Sequence, residues 1–266
     1  MLWNASAING YAIAASDGHL GTVSDFLFDD RGWRIRWLVV DCGTWLSGRK
    51  VLLPPLALGH PDRNGREFSV RLTRQQVKDS PDINGDRPVS RQMETHVYGY
   101  YGWSPYWDTG LYMGGYGFMG GAMGTYGYMG GVVADQSSRR PWQHDENYPP
   151  PQRDDGDPHL RSIEAVTGYH IHASDGEVGH VEDFLVDDTD WSIRYLVVDT
   201  KNWWPGKKVL ISPGSAAEID WSGKLVNLAI DRQRVKDSPP YDPSITVDRD
   251  FENRFHGYYR DGPPTG

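Results

Sequence analysis

Short apolar runs alternate with polar turns along the first part of the chain. Ser16-Asp17-Gly18 separates two such runs, and its glycine can take the positive φ that a tight hairpin turn requires. The stretch from Ile35 to Val40 is almost continuously apolar, as in a central strand buried on both faces. The pattern predicts five strands, at Gly10–Ala15, Leu20–Phe28, Ile35–Val40, Lys50–Leu53 and Glu67–Leu72.

Two helical segments are predicted after these strands. Thr73 and Gln76 have the spacing of a capping box, which predicts a helical turn over Thr73–Val77. Ser90 can cap a final helix that carries a large side chain at every fourth position, and the chain ends on a similar stripe. We expect both stripes to pack against strands. They consist of Met93, Val97 and Tyr101, and of Phe251, Phe255 and Tyr259.

The same pattern occurs twice, at a fixed offset of 158 residues. Of the 92 positions from 10 to 101, 42 are identical to their counterparts, without a gap. A period this long indicates duplicated domains, because solenoid repeats are only about 20–50 residues long. We therefore predict repeat 1 at residues 1–103, a linker at 104–158 and repeat 2 at 159–266.

Composition indicates the fold class. The 31 glycines and 18 prolines disfavour a helical protein, whereas 15 tyrosines and 11 tryptophans suit a β-rich one. Many short strands between Gly and Asp turns indicate a small barrel or sandwich. The prediction is an all-β protein of two small antiparallel β-barrels, each with a short C-terminal helix, joined by a Gly- and Tyr-rich linker.

Both repeats carry one extended motif. S-D-G-x-x-G-x-V-x-D-F-L-x-D-D, followed by W-x-I-R-[WY]-L-V-V-D, resembles the PRC-barrel family. That family is named after the cytoplasmic domain of the photosynthetic reaction centre H subunit, and a similar barrel occurs in a bacterial ribosomal RNA maturation factor. The resemblance implies a bacterial binding or scaffolding module with two tandem PRC-barrel domains, no catalytic residues and no cofactor.

Charge and the single cysteine narrow the function classes. The net charge of −9 divides into +1 for residues 1–101, −4 for 102–157 and −6 for 158–266. Because phosphate binding needs clustered Lys and Arg, nucleic acid is disfavoured as a partner. Cys42 is the only cysteine, which excludes an intrachain disulfide. No leader-like N-terminus and no run of about 18 apolar residues is found, so we expect a cytoplasmic protein without a membrane span.

Four aspartates of repeat 1 recur in repeat 2. Paired carboxylates can serve acid–base chemistry or bind hard cations, but their place in turns favours hydrogen bonds to the turn backbone. Arg36 and Arg194 lie within apolar strands and are expected to pair with one of these carboxylates, which is a structural role. The aspartates are Asp25, Asp29, Asp30 and Asp41, and Asp183, Asp187, Asp188 and Asp199.

Three histidines of repeat 2 are weak candidates for a metal site. His170 and His172 share one face of a predicted strand, and His180 lies on the next strand. Three imidazoles can bind zinc, but no fourth ligand is evident and repeat 1 lacks the histidines, so metal binding is disfavoured. Cys42 has no base beside it in any motif, and no nucleotide-binding or serine-hydrolase motif occurs. We expect no enzymatic activity.

The segment from Tyr98 to Val133 contains 12 glycines, 11 aromatic residues and one charged residue. Such a tract acts either as a flexible tether or as a segment that self-associates through its aromatic side chains. Four interspersed methionines leave a thioether copper site as a minor alternative. The residues expected to mediate contacts are Tyr116, Phe118, Tyr126 and Tyr128.

Together these features predict a non-enzymatic protein-binding or scaffolding module whose partner is another protein or a second copy of the chain. Barrel edges and the Gly- and Tyr-rich linker would allow assembly into an oligomer or filament. By family analogy alone, the alternatives are an accessory factor for photosynthetic electron-transport complexes or for ribosomal RNA processing. A metal-dependent enzyme would rest only on the histidines and aspartates named above.

Overall fold

A computed structural model describes most of both repeats. The described residues are 1–80, Glu94, Val97, Tyr98, Tyr100, Tyr101, Asp157, 159–200, 207–243, Val247, 251–253, Phe255, Gly257 and Tyr258. The chain divides into two compact units, residues 1–89 with 156–266, and residues 90–155. Five residues of the second unit are described, and all five are helical. The strands of both repeats therefore belong to one unit, while the limits of the linker at 104–158 stay a prediction.

Residues 1–80 of repeat 1 contain six strands and two short helices. A 3-10 turn follows the fourth strand and another follows the fifth, at Gly43–Leu46 and Pro55–Ala57. The elements are β1 (Leu2–Asn4), α1 (Ala5–Ile8), β2 (Ala12–Ala15), β3 (Gly18–Asp29), β4 (Arg34–Asp41), β5 (Lys50–Leu53), β6 (Glu67–Ser69) and α2 (Arg74–Lys78).

The described part of repeat 2 has the same order of elements, with two additional strands. The offset of 158 holds from the first strand to the last helix. The elements are β7 (Leu160–Ser162), α3 (Ile163–Val166), β8 (His170–Ala173), β9 (Gly176–Asp187), β10 (Ile193–Asp199), β11 (Lys208–Ile211), β12 (Ala216–Asp220), β13 (Leu225–Leu228), α4 (Arg232–Lys236) and β14 (Pro240–Tyr241).

Each repeat forms a sheet around its longest strand, β3 in repeat 1 and β9 in repeat 2. The order is β5-β4-β3-β2-β6 in repeat 1 and β12-β13-β8-β9-β10-β11-β14 in repeat 2. Most neighbours are antiparallel, but β6 lies parallel to β2 and β13 lies parallel to β8. In addition, β7 pairs with β3 and β1 pairs with β9, so each sheet contains one strand of the other repeat.

The prediction of two closed antiparallel barrels is wrong for the described residues. Neither sheet path returns to its first strand, and both contain a parallel pair. One reason that the sheet of repeat 1 stays open lies in β3, whose first residues pair with β2 but whose last residues do not. A strand from the other repeat occupies that edge of β3 at Leu27–Asp29, so no strand of the same repeat can close the sheet there.

The predicted short helices are present where the structure describes them. Thr73 and Gln76 form the capping box at the start of α2, as predicted. Near the end of the chain, the described residues from 251 to 258 are helical. Phe255 is fully buried in a core cluster that includes Tyr195 and Tyr241, and Phe251 packs against the same cluster. Phe251 and Phe255 therefore pack on the sheet as predicted, whereas Tyr259 lies outside the described residues.

Candidate interaction site between the repeats

The N-terminal strand of each repeat lies on the sheet of the other repeat. Trp3 of β1 is opposite Val186 of β9, and Arg161 of β7 is opposite Phe28 of β3. Both strands are three residues long and both run directly into one helical turn. The offset of 158 relates the two contacts residue by residue. The repeats are thus joined like the partners of an isologous dimer, in which the same surface is used on both sides.

Two aspartates, the half-buried Asp25 and the buried Asp183, hold the helical turns of these exchanged segments. Asp183 accepts hydrogen bonds from the backbone N–H of Ser6 at 3.1 Å and from its hydroxyl at 2.5 Å. Asp25 accepts from the hydroxyl of Ser162 at 2.5 Å and from the N–H of Glu164 at 3.1 Å. The first N–H groups of a helix have no partner within it, so a carboxylate at this place satisfies them.

Burial has the largest effect on the pKa of the Asp25 and Asp183 carboxyl groups. Desolvation raises the pKa of Asp25 and of Asp183, although the hydrogen bonds from the exchanged segments act in the opposite direction. Each aspartate also accepts from the N–H of the next residue on its own strand, at 2.7 and 2.8 Å. Both therefore serve as fixed acceptors between the repeats and are not open to solvent chemistry.

A second pair of aspartates holds the other end of each exchanged strand. Asp30 accepts from Arg161 Nε at 3.2 Å and lies 3.0 Å from the Nδ1 atom of His159. Asp188, the equivalent residue, accepts from Trp3 Nε1 at 3.1 Å. The backbone N–H of each aspartate donates to the exchanged segment, to His159 O at 2.9 Å and to Met1 O at 3.1 Å. The receiving residue is the same in both repeats, whereas the donors differ.

Each exchanged strand takes part in a cation–π pair, and the aromatic ring and the cation stand at swapped positions in the two repeats. The Arg63 guanidinium lies 4.4 Å from the ring centre of Trp3, and the Arg161 guanidinium lies 4.0 Å from that of Trp221. Positions 3 and 161 are equivalent, as are 63 and 221. The ring and the cation have therefore exchanged places between the repeats while their contact is kept. Each pair contributes about 0.5–1 kcal/mol, or more where it is desolvated.

The turns after β3 and β9 join the repeats at their centre. Ile35 N–H donates to Trp191 O at 2.8 Å, and Ile193 N–H donates to Trp33 O at 2.7 Å. Between these bonds, Arg34 and Ser192 form a single antiparallel β-bridge. Trp33 and Trp191 have φ values of 51° and 57°, an uncommon conformation for a bulky residue. The reciprocal hydrogen bonds hold both tryptophans in it.

Beside β1 lies a cleft of about 300 Å³ that both repeats line. Trp3 and Arg63 of repeat 1 face Leu185 and Tyr241 of repeat 2 across it. The Tyr241 hydroxyl donates to Asn4 Oδ1 at 2.8 Å, which ties the exchanged strand to β14. The exposed lining is more polar than apolar and includes the Arg63 guanidinium, which suits an acidic side chain of a partner protein. The remaining lining residues are Leu2, Asn4, Ala7, Tyr11, Pro243 and Val247.

The predicted arginine–aspartate pairs are present within each repeat. Arg36 pairs with Asp29, and Arg194 Nη2 lies 3.1 Å from Asp187. Burial of Asp29 acts to raise its pKa, but hydrogen bonds from the Gly32 N–H and from Arg36 outweigh it and lower the pKa. The pKa of Asp187 is lowered in the same way. These pairs fix the turns after β3 and β9, from which the central contact is made.

Asp41 and Asp199 end the central strands. Asp41 Oδ1 accepts from the Gly43 N–H at 2.8 Å, as expected for an aspartate in a turn. A Cβ atom added at Gly21 would lie 2.1 Å from the Asp41 carbonyl oxygen, and one added at Gly179 would lie 2.0 Å from that of Asp199. The second glycine of the S-D-G-x-x-G motif is therefore required by a close approach of two strands.

The histidine candidates do not converge on one point. His170 is opposite His180 in the pairing of β8 with β9, and its Nδ1 lies 3.4 Å from Glu177. Within the described residues, no group of three or more His, Cys, Asp or Glu side chains could hold a metal ion. Cys42 is buried, and burial raises the pKa of its thiol to about 11. Tyr116, Phe118, Tyr126 and Tyr128 lie outside the described residues.

The fold defines the chain as a β-rich protein in which two halves with the same strand order exchange their N-terminal segments. Residues 4–63, which include α1 and the sheet from β2 to β5, match the PRC-barrel domain, so repeat 1 contains one such domain. The chain is also similar to an uncharacterised protein of Deinococcus radiodurans, at 35% identity over 86 residues. That match covers 32% of this chain and 31% of the relative, so the chain spans about a third of its length.

No helix among the described residues is long and apolar enough to cross a membrane. The residues of the exchange that sequence reasoning missed are Trp3, Ser6, Arg63, Arg161, Ser162 and Trp221. One signal was available for some of them, because Trp3 with Arg63 and Arg161 with Trp221 are inverted pairs at the offset of 158.

Proposed function

We propose that the chain is a non-enzymatic protein-interaction module that binds partner segments by adding a strand to the long central strand of a repeat. The observation that supports this most directly is that β3 and β9 each already hold a strand from outside their own repeat. Strand addition is a common mode of peptide recognition, in which backbone hydrogen bonds give affinity and side-chain pockets give specificity. The PRC-barrel match of residues 4–63 also suggests a protein-interaction module.

The bound segment has a definable chemistry. Three extended residues place an apolar side chain such as Leu2 in the core and a hydrogen-bond donor such as Trp3 on the receiving aspartate. A residue like Ser6, at the start of a helical turn, then donates to the buried aspartate. A partner segment would therefore combine a short strand, a donor side chain and a helix start, and would need no catalytic group.

The test is a peptide-binding measurement on repeat 2 with its receiving site open. A truncated protein lacking residues 1–9 is mixed with a labelled peptide of residues 1–10, and binding is followed by fluorescence anisotropy. We expect saturable binding that is weakened by Asp183→Ala in the protein and by Leu2→Asp in the peptide. Equal affinity for the two peptides, or none for either, in a truncated protein whose circular dichroism shows it folded, would contradict the proposal.

The finer proposal is a scaffold with two tandem PRC-barrel domains that self-assembles with the help of the Gly- and Tyr-rich segment. Residues 104–133 would supply aromatic contacts between copies, since little charge opposes their approach. The test uses proteins whose repeats are locked together by an Arg34→Cys and Ser192→Cys disulfide. Deleting residues 104–133 from the locked protein should lower the number of copies per particle, obtained from light scattering as the measured mass divided by the chain mass, and an unchanged number of copies would mean that the segment acts as a tether.

A further inference from the structure

The receiving surfaces of the two repeats share most of their residues, but the residue opposite the middle of the exchanged strand is Phe28 in repeat 1 and Val186 in repeat 2. The strand that receives the exchanged segment reads Asp25-Phe26-Leu27 in repeat 1 and Asp183-Phe184-Leu185 in repeat 2. The aspartates at the far end, Asp30 and Asp188, and the tryptophans of the central turns, Trp33 and Trp191, are also identical. Because the aspartates that accept hydrogen bonds are shared and the residues that differ, Phe28 and Val186, are both apolar, the two surfaces discriminate only weakly between the segments that reach them.

The donating segments differ, and the difference between Trp3 and Arg161 is compensated within each segment's own repeat. Trp3 packs under Arg63, and Arg161 packs over Trp221, so each exchanged residue brings its own cation–π partner. The other repeat contributes an aspartate, which accepts from the indole N–H in one case and from the guanidinium in the other. Either segment can therefore use either receiving site without leaving a charged group unpaired.

We propose that a second copy of this protein can take the place of either repeat, so that copies associate by trading their N-terminal segments. This inference names a partner for the proposed interaction function and rests on it. The connection between the repeats raises the effective concentration of the internal pairing, so the closed monomer dominates in dilute solution. Because the traded contacts are the same contacts, the associated form needs no new interface and increases with protein concentration.

Cysteines at the central β-bridge report which copies are paired. Arg34 and Ser192 are a pair without mutual hydrogen bonds, whose Cα atoms lie about 4.5 Å apart in such sheets and suit a disulfide. One variant carries Arg34→Cys and the other carries Ser192→Cys, both with Cys42→Thr, because threonine stands at the equivalent position 200. The control replaces the Arg34→Cys variant by a Leu56→Cys variant, since Leu56 is 68% exposed and outside the exchange.

The two variants are mixed, unfolded and refolded together at low and at high concentration, then oxidised. We expect a covalent heterodimer of the two variants at several times the control yield, increasing with concentration. The Arg34→Cys variant refolded by itself should give a covalent homodimer, because two copies of repeat 1 then meet at the same bridge. In parallel, isotopically heavy and light copies of the unsubstituted protein are refolded together and should give mixed-mass dimers in native mass spectrometry.

A yield of heterodimer no higher than that of the Leu56→Cys control, together with an absence of mixed-mass dimers at high concentration, would overturn the trading of segments. That result would leave the proposed function standing, because binding of the free peptide to an open receiving site is measured separately. Formation of the heterodimer without the Arg34→Cys homodimer would restrict the trade to unlike repeats, and would overturn the statement that either segment fits either site.

Discussion

Ser6 and Asp183 form two hydrogen bonds to each other across a separation of 177 residues in the sequence. The same arrangement recurs where Ser162 and Glu164 meet Asp25. Because each repeat supplies both a helical turn and a receiving carboxylate, loosening either contact weakens a sheet in the other repeat. The stabilities of the two repeats are therefore coupled.

Replacement of Asp183 by alanine tests this coupling. The change removes the acceptor of the Ser6 and Phe184 N–H groups, and for the buried Phe184 this costs about 1–3 kcal/mol, to which the lost bonds of the exposed Ser6 add less. We expect the free energy of unfolding of the whole protein to fall by a few kcal/mol in urea titration. Glu218→Ala, at an exposed position on β12, is the control and should change it by less than about 0.5 kcal/mol. A loss no larger than the control's would mean that Asp183 does not carry the contact.

The raised pKa values of Asp25 and Asp183 give a pH dependence of known sign. Since the folded protein holds protons on these groups more readily than the unfolded protein, their contribution to stability increases as pH falls and is lost as pH rises through the raised pKa. Between pH 7 and pH 5, the lowered carboxyls Asp29, Asp187 and Asp190 stay ionised in both states.

We compare the wild-type protein with an Asp25→Asn, Asp183→Asn variant. When the pH is lowered from 7 to 5, we expect the melting temperature of the wild-type protein to rise relative to that of the variant. The comparison of two differences removes the histidines and all other titrating groups common to both proteins. The same change in both proteins would show that these carboxyls do not titrate differently on folding.

Because the cation–π pairs are swapped between the repeats, the stability lost in Trp3→Arg should be restored in part by Arg63→Trp. Trp3→Arg alone places two guanidinium groups together and removes a buried ring, which should cost about 3 kcal/mol or more. Adding Arg63→Trp recreates the arrangement that repeat 2 uses with Arg161 and Trp221, including a ring contact like that of Tyr169 with Trp221. We expect the double variant to regain at least half of the lost stability in denaturant unfolding. A double variant as unstable as the sum of its single changes would show that the pairs are not equivalent.

Gly21→Ala should be among the most damaging small substitutions. The added methyl group would collide with the backbone carbonyl of Asp41, which cannot move without breaking the pairing of β3 with β4. We expect a loss of at least about 3 kcal/mol, at the upper end of the range for overpacking. Gly32→Ala is the matched control, because nothing lies within 4 Å of its added atom. Similar unfolding midpoints for the two variants would contradict the close approach.

The thiol of Cys42 should react only when the protein unfolds. Burial and a pKa of about 11 leave little thiolate at pH 8, so a disulfide reagent followed by absorbance should react slowly in native buffer and rapidly in guanidinium. A Leu56→Cys, Cys42→Thr variant provides the exposed-thiol control. Native reaction of Cys42 at the rate of that control would show that the strand end is open.

The elements that depend on residues close together in the sequence were predicted correctly. The strand at Lys50–Leu53, the capping box at Thr73 and the ion pair of Arg36 follow from alternation, short spacing and an apolar run that contains one charge. In the turn after β3, the positive φ falls on Trp33 and not on the neighbouring Gly32. The carbonyl oxygen of Trp33 is held by Ile193, in the other repeat, and no nearby residue signals this contact.

The exchange of segments could not be predicted in this way. A three-residue strand is too short to show alternation, and α1 has four residues, one of them a buried alanine. The residues that receive these elements lie more than 130 positions away, so their aspartates looked like ordinary turn residues. The parallel pairing of β2 with β6 was missed for the same reason, because strand direction depends on a distant partner.

During translation, the two exchanged segments are made at different times, so the two contacts become possible one after the other. The edge of β3 at Leu27–Asp29 receives its partner only after the ribosome has made Leu160–Ser162. At roughly 5–20 residues per second, that wait is on the order of ten seconds, far longer than hairpin formation. During it, the nascent repeat 1 presents an unfilled strand edge, while its own segment Leu2–Asn4 has no repeat 2 to join. Neighbouring nascent chains on one messenger RNA would be in this state together, so translation itself sets when segments can pair within one copy or between copies.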